Sequence, residues 1–156
     1  MSQSQYIGRK YDVMAYQGVK PTGKVLLNPA FVDDTSPGGT ICTGIQKLLQ
    51  QFLILLLTET GTKPYDTEAG TPFMTQLRSG ELRTELDVMT AFSMAVGSIA
   101  TQLTSDSADI PDDEYFADAS VEELTLQPGA IAIKIAVISR AGDARVAILP
   151  LSVVAG

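Results

Sequence analysis

The spacing of apolar residues changes twice along this chain. Ile45, Leu48, Leu49, Phe52, Leu53 and Leu56 recur at three- and four-residue intervals, which predicts a helix from about Thr40 to Leu57. Ile54, Leu55 and Leu57 fill its other faces. A helix apolar nearly all round needs covers on several sides, which points to a subunit inside an assembly. Thr58 to Pro72 has no period and is rich in Gly and Pro, so it reads as a long loop. Thr71 to Ser79 predicts a short helix with Thr71 as N-cap and Pro72 in its first turn. A longer helix follows from about Gly80 to Thr104, with Leu82, Leu86, Met89, Val96, Ile99 and Leu103 as its stripe, Phe92 beside it, and Arg83 and Asp87 four apart.

Beyond an acidic loop, Ser105 to Phe116, the period becomes two. Val121, Glu123, Thr125 and Gln127 alternate with Glu122, Leu124 and Leu126, and Gln127-Pro128-Gly129 turns the chain. Ile131, Ile133, Ile135 and Val137 then form an apolar face, with Lys134 opposite. If Arg140 to Asp143 is the next turn, Val146 and Ile148 fall on the face of Val137 and Ile135, and Ala147 points outward. The architecture implied is α+β: two main helices plus a short one packed on a small antiparallel β-meander. Residues 1–23 read as an N-terminal arm and 24–156 as a single domain. Within the latter, Lys24 to Phe31 reads as a short strand and Asp33 to Gly39 as a turn cluster.

Composition narrows the chemistry. The chain has 156 residues, eleven basic and eighteen acidic, with no histidine and one cysteine. Without histidine there is no Ser-His-Asp or Cys-His nucleophile system and no His-ligated metal. The net charge of −7, with no more than two adjacent basic residues, argues against nucleic acid and against anionic membranes as partners. Leu48 to Leu57 is apolar but interrupted by Gln50 and Gln51, and a bilayer needs about 20 apolar residues, so this is a buried helix. Met1 to Gln5 lacks the features of a secretory signal, which implies synthesis in, and retention by, a cytoplasm.

No polar cluster rises to a catalytic signature. Asp112, Asp113 and Glu114 lack the spacing of a Ca²⁺ loop and read as a solvated acidic loop. Glu122 and Glu123, adjacent on a strand, should point to opposite faces. Gly38-Gly39-Thr40 lacks the ending of a P-loop and reads as a turn. Lys134 reads as an exposed strand residue. Cys42, near a helix start, reads as a small packed residue. The expectation is a protein that is not an enzyme and carries no cofactor, catalytic residue or metal site.

One stretch stands apart. Gln46 lies on a helix ending Leu56-Leu57-Thr58, followed by a loop with Gly61, Pro64 and Tyr65, then Gly70-Thr71 ahead of Phe73 and Leu77. A long helix and a C-terminal hairpin, Ile131 to Leu151, follow in order. This layout resembles the sheath-initiator family of baseplate wedge proteins in contractile-tailed phages and related contractile injection systems. The likeness runs from about Lys24 to Val153 by order of elements, and from Ile41 to Leu77 by residues. Thr62 and Ala69 replace the acidic and aromatic residues usual in the family loop, and the Glu-Pro-Arg triplet of many members is absent.

The resemblance implies a structural protein of the virion tail baseplate, made in the bacterial host cytoplasm and set in a sixfold arrangement. Its implied partners are the tail sheath protein, other baseplate wedge proteins and the tail tube or hub. The implied role is to template the first sheath ring by strand addition at an open sheet edge. The expected contact residues are Leu55, Leu57, Thr58, Gly61, Pro64, Tyr65, Gly70 and Thr71, together with Ala147, Leu151 and Val153 on the last strand. Two alternatives stay open: another baseplate or tail-completion structural protein, and a carboxylate-based small-ligand enzyme or binder.

Overall fold

The structure is a computed structural model that describes residues 9–10, 12–17, 28–29, 41–105 and 109–152. Four two-residue strands come first: β1 (Asp12–Val13), β2 (Tyr16–Gln17), β3 (Asn28–Pro29) and β4 (Ile41–Cys42). Helices α1 (Gly44–Leu57), α2 (Phe73–Arg78) and α3 (Glu85–Thr104) follow, then strands β5 (Phe116–Gln127), β6 (Ala130–Ser139) and β7 (Ala144–Ser152). The last three form an antiparallel meander in the order β5-β6-β7. The α+β reading holds. The predicted strand Lys24 to Phe31 is described only at Asn28–Pro29, and the turn cluster Asp33 to Gly39 lies outside the described residues.

Helix α1 starts later than its period suggested. Ile41 and Cys42 pair with Val13 and Asp12 in a β-bridge, and the helix begins after Thr43, at Gly44 with φ +65°. Leu48, Leu49, Phe52, Leu53 and Leu56 are wholly buried. Leu55 and Leu57 are half-buried against the same core, and Ile54 alone of the three outer apolar residues is exposed. The covers that α1 needs therefore come largely from its own chain, which weakens the inference from this helix to an assembly.

Phe52 stands at the centre. Its ring lies 5.8 Å from Phe116 of β5 and 6.1 Å from Phe92 of α3, and Phe73 of α2 meets Phe92 edge-on at 6.5 Å. Four elements thus close on one aromatic group.

Helix α3 starts at Glu85, later than expected, and the stripe read for it holds in part: Ile99 and Phe92 are in the core and Leu82, Val96 and Leu103 pack against it. Val88, Ala91, Phe92, Ala95 and Ile99 are buried, whereas Leu86 and Met89 point to solvent. Small residues won because Ala91 and Ala95 let the helix lie close to β5 and α1, while Leu86 has no partner on the outer side. By length and composition α3 passes for a membrane span, yet here it is one cover of a packed core. Its start is fixed by a capping box: Thr84 Oγ1 accepts from Asp87 N, and Asp87 Oδ2 accepts from Thr84 N. Asp87 thus accepts from the backbone N–H groups of Arg83 and Thr84 and serves as a cap, where the spacing had suggested a side-chain ion pair.

The meander differs from the expected register in two places. Ile135 lies opposite Ala147, and Ile133 opposite Leu149. Ala147 is therefore on the core face and fully buried, and Val146 and Ile148 are on the other face with Ala136. Both expectations for these residues are corrected. The cause is the turn. Ser139 N donates to Asp143 O and Gly142 N to Ser139 O, with Gly142 at φ +87°. The loop is thus three residues with a glycine bulge, and an odd loop reverses the face of every residue after it.

The second difference is a bulge in β5 between Val121 and Glu123. Val121 pairs with Ile135 on the core side, while Glu123 pairs with Lys134 on the outer side. The extra residue, Glu122, breaks the alternation. Both carboxylates therefore reach one ammonium: Lys134 Nζ lies 3.1 Å from Glu123 Oε1 and 3.5 Å from Glu122 Oε2. They do not point apart, and Lys134 is half-buried between them. The hydrogen bond with Glu123, and then the two negative charges, raise the Lys134 pKa.

Candidate assembly interface

Three surfaces gather the residues singled out from the sequence. The first is the loop between α1 and α2. Its backbone closes on itself: Thr71 N donates to Thr58 O at 2.9 Å, Gly61 N to Thr67 O at 3.0 Å, and Glu59 bridges Thr71. Gly61 and Gly70 both take positive φ, +88° and +99°. Gly61, Pro64 and Tyr65 are exposed, Tyr65 entirely so, whereas Thr58 is half-buried and Gly70 and Thr71 are buried. Thr71 donates its hydroxyl to Leu56 O and accepts from Phe73 N, although helical geometry begins only after Pro72. The loop thus presents a rigid base and an exposed tip. Gln102 of α3, a residue that no sequence pattern marked, grips the base from the other side.

The second surface is the edge of β7. Because Ser139 and Asp143 close the hairpin by a hydrogen bond, alternation along a regular register places the N–H and C=O groups of Arg145, Ala147, Leu149 and Leu151 toward β6. Those of Ala144, Val146, Ile148 and Ser152 face the open side. Pro150 falls in this second set, so its missing N–H costs the β6 ladder nothing. Among the described residues nothing pairs with that side. Leu151 is half-buried against the core, Ala147 is inside it, and Val153 lies outside the described residues. At the far end of the meander a shallow groove of about 210 Å³ crosses all three strands over Thr125, Gln127, Ala130, Ala132, Pro150 and Ser152.

The opposite edge, β5, is less open. It carries two register irregularities and the exposed carboxylates Asp118, Glu122 and Glu123. Bulges and charge are the devices that keep an edge from pairing.

The third surface is the start of α1. Three acids of the loop that read as solvated, Asp112, Asp113 and Glu114, prove to be partnered. Arg140 bonds Asp112 and lies 4.0 Å over the Tyr115 ring. Arg9 Nη1 contacts both Asp113 oxygens, at 2.7 and 2.9 Å. Glu114 is buried; it accepts from Gly44 N at 3.0 Å and pairs with Lys47 at 2.9 Å. A carboxylate at a helix N-terminus meets both the free N–H groups and the dipole, so Glu114 caps α1 where Thr43 makes no side-chain bond. Beside it lies a polar cleft of about 450 Å³ bordered by Arg9, Gln46, Asp113, Asp143 and Arg145.

Among the described residues, no group of three or more acidic or thiol side chains is placed to hold a metal ion. Cys42, paired with Asp12 in the strand bridge, is buried, and that burial, with Asp12 beside it, pushes its pKa up to about 11. A thiol so raised is neutral and a poor nucleophile at neutral pH. The chain matches no protein-family model and no curated protein.

Proposed function

We propose that this chain is a non-enzymatic structural protein of a contractile tail baseplate, a sheath initiator that templates the first sheath ring by β-strand addition. The observation that carries the reading is the open edge of β7. From Ala144 to Ile148 it offers outward N–H and C=O groups with a single charged residue, Arg145, and Pro150 marks where an added ladder must stop. The order of elements, from α1 through the closed loop, α2 and α3 to the meander, supports the same reading because it is the order that the family resemblance rests on. The partners proposed are the sheath protein at β7, and wedge or tube proteins at the loop tip around Gly61, Pro64 and Tyr65.

The test is seeding. The purified chain, added to a tail-sheath protein from the same genome, is expected to shorten the lag of sheath polymerisation and to sit at one end of the product in electron micrographs. Proline at Ile148 removes an outward N–H while leaving the bonds to β6 in place, so it is expected to abolish seeding in a protein that still folds. Seeding undiminished by that change, or no effect of the wild-type chain, overturns the proposal.

A further inference from the structure

We propose that Arg145 selects the strand that adds to β7: the partner's segment carries a carboxylate directly opposite Arg145, with apolar side chains opposite Ala147 and Leu149. The inference rests on the strand-addition reading and goes beyond it by naming the chemistry of the added strand. Its basis is where the guanidinium stands. Arg145 pairs with Val137 of β6, and Ala147 with Ile135, so Arg145 belongs to the core face of the edge strand. Val137 and Ala147 are wholly buried, and Arg145 itself is half-buried. Together with Arg9, Asp113 and Asp143 it borders the polar cleft of about 450 Å³ at the start of α1.

Other half-buried cations are matched by acids. Arg9 meets Asp113, Lys47 meets Glu114, and Lys134 meets Glu122 and Glu123. Arg145 instead donates from Nη1 to Ala144 O, the carbonyl next to it, at 2.9 Å, and among the described residues that is the bond its guanidinium makes. A guanidinium carries several N–H donors in a planar fork that fits a carboxylate. Held half out of water on a face shared with Val137 and Ala147, it gains more from a carboxylate than an exposed arginine would.

An added strand takes its bonds from the outward N–H and C=O groups of Ala144, Val146 and Ile148. Added antiparallel, it sets a residue against Arg145 in a pair without backbone bonds, the kind whose side chains lie closer. The charge also fixes register. A slip of two residues toward the hairpin sets the carboxylate against the exposed Asp143, and like charges opposed are unfavourable. The opposite slip sets it beside Ala147, which is 0% exposed, where an unpaired charge is costly. Of these three registers only the one at Arg145 satisfies it. Charge complementarity at one position therefore names both the partner's side chain and its alignment.

The test uses end-blocked peptides, Thr-Asp-Thr-Val-Thr-Leu-Thr and the same sequence reversed, with Asn or Lys in place of Asp as controls. Each is titrated into the ¹⁵N-labelled protein. The amide shifts of Val146 and Ile148, whose N–H groups face the open side, give the dissociation constant. In one of the two orders the Asp peptide is expected to bind about five-fold tighter than the Asn peptide, and the Lys peptide more weakly than either. Added salt should narrow the gap. Arg145→Gln should level the Asp and Asn peptides, and Arg145→Glu should invert the order of Asp and Lys. Equal binding of the Asp, Asn and Lys peptides to the wild-type chain overturns the role of Arg145 while strand addition stands. An unchanged Asp preference in folded Arg145→Gln protein overturns it equally. Binding of no peptide, in either order, overturns strand addition at β7 and this inference with it.

Discussion

Gln102 holds Gly70 by both of its backbone groups: its Oε1 accepts from Gly70 N, and its Nε2 donates to Gly70 O, each at 2.9 Å. A side chain near the end of α3 thereby fixes the base of a loop 32 positions away. The glycine is required there. Its φ is +99°, and an added Cβ would stand 2.3 Å from Thr58 O, a backbone atom that cannot step aside. Gly70→Ala should therefore cost more than about 1 kcal/mol. Gly61→Ala should cost less, because nothing lies within 4 Å of its Cβ position and only the φ of +88° opposes it. Chemical denaturation of the two variants ranks them. Gln102→Ala should speed hydrogen exchange at Gly70 and Thr71 while leaving the sheet amides unchanged.

The aromatic centre predicts an uneven response along α1. Phe52→Ala empties the space between Phe92 and Phe116, and should cost about 3–5 kcal/mol. Ile54, at 38% exposure, should tolerate alanine within about 1 kcal/mol. Urea midpoints on the isolated chain check the contrast, and an equal loss at both positions would show that the packing at Phe52 is not what holds the helix.

Periodicity carried most of the architecture for a plain reason. Ile131, Ile133, Ile135 and Val137 are all buried, as alternation on a strand with one core face requires, and so are the six apolar residues, Ile45 to Leu56, that define the inner side of α1. What periodicity could not carry was parity. One residue more or less at Gly142, or at Glu122, reverses every side chain beyond it, and turn composition alone leaves that count open. Polar partners from distant parts of the chain were equally hidden. Glu114 caps a helix 70 positions earlier, and Gln50 receives a strand 35 positions before it. In sequence the first is one of several loop acids and the second a break in an apolar run. On α3, large residues suggested the stripe, but close packing selected Ala91 and Ala95 over Leu86.

The buried thiol makes stability depend on alkaline pH. Burial, and then Asp12, raise Cys42 from its ordinary 9.0 to about 11, so the folded chain keeps a proton that the unfolded chain releases. The stability this contributes is whole below pH 9 and declines as pH rises toward 11. Cys42→Ala should flatten that decline between those values, as read by urea midpoints. At pH 8 the wild-type thiol, 3% exposed, should react with a disulfide reagent far more slowly than a free thiol.

The α3 cap gives an acid counterpart. Hydrogen bonding to Thr84, first with its hydroxyl and then from its backbone N–H, with Arg83 N also donating, holds the Asp87 carboxylate below its ordinary range. Its share of stability is present above the ordinary value and is lost as pH falls through the lowered one. Asp87→Asn should remove that acid-dependent share. Thr84→Ala should cost about 1 kcal/mol at neutral pH. Helix content followed by circular dichroism through an acid titration distinguishes the two effects.

The register of β7 makes neighbouring positions respond oppositely to one substitution. Ala147 lies opposite Ile135, and its N–H belongs to the β6 ladder. Ala147→Pro would leave the buried Ile135 carbonyl unpaired, at a cost of about 1–3 kcal/mol from that group alone. Ile148 lies opposite Lys134, with its N–H on the open side, where Pro150 already shows that the strand accommodates proline. Ile148→Pro should cost less than half as much as Ala147→Pro in the isolated chain. Had the hairpin loop held an even number of residues, the order would be reversed, because the ladder bonds would then alternate on the other set. Thermal or urea unfolding of the two variants therefore reads the parity of the Gly142 turn directly. A greater loss at Ile148 would place Val146 and Ile148 on the core face and move the open edge to Ala147 and Leu149.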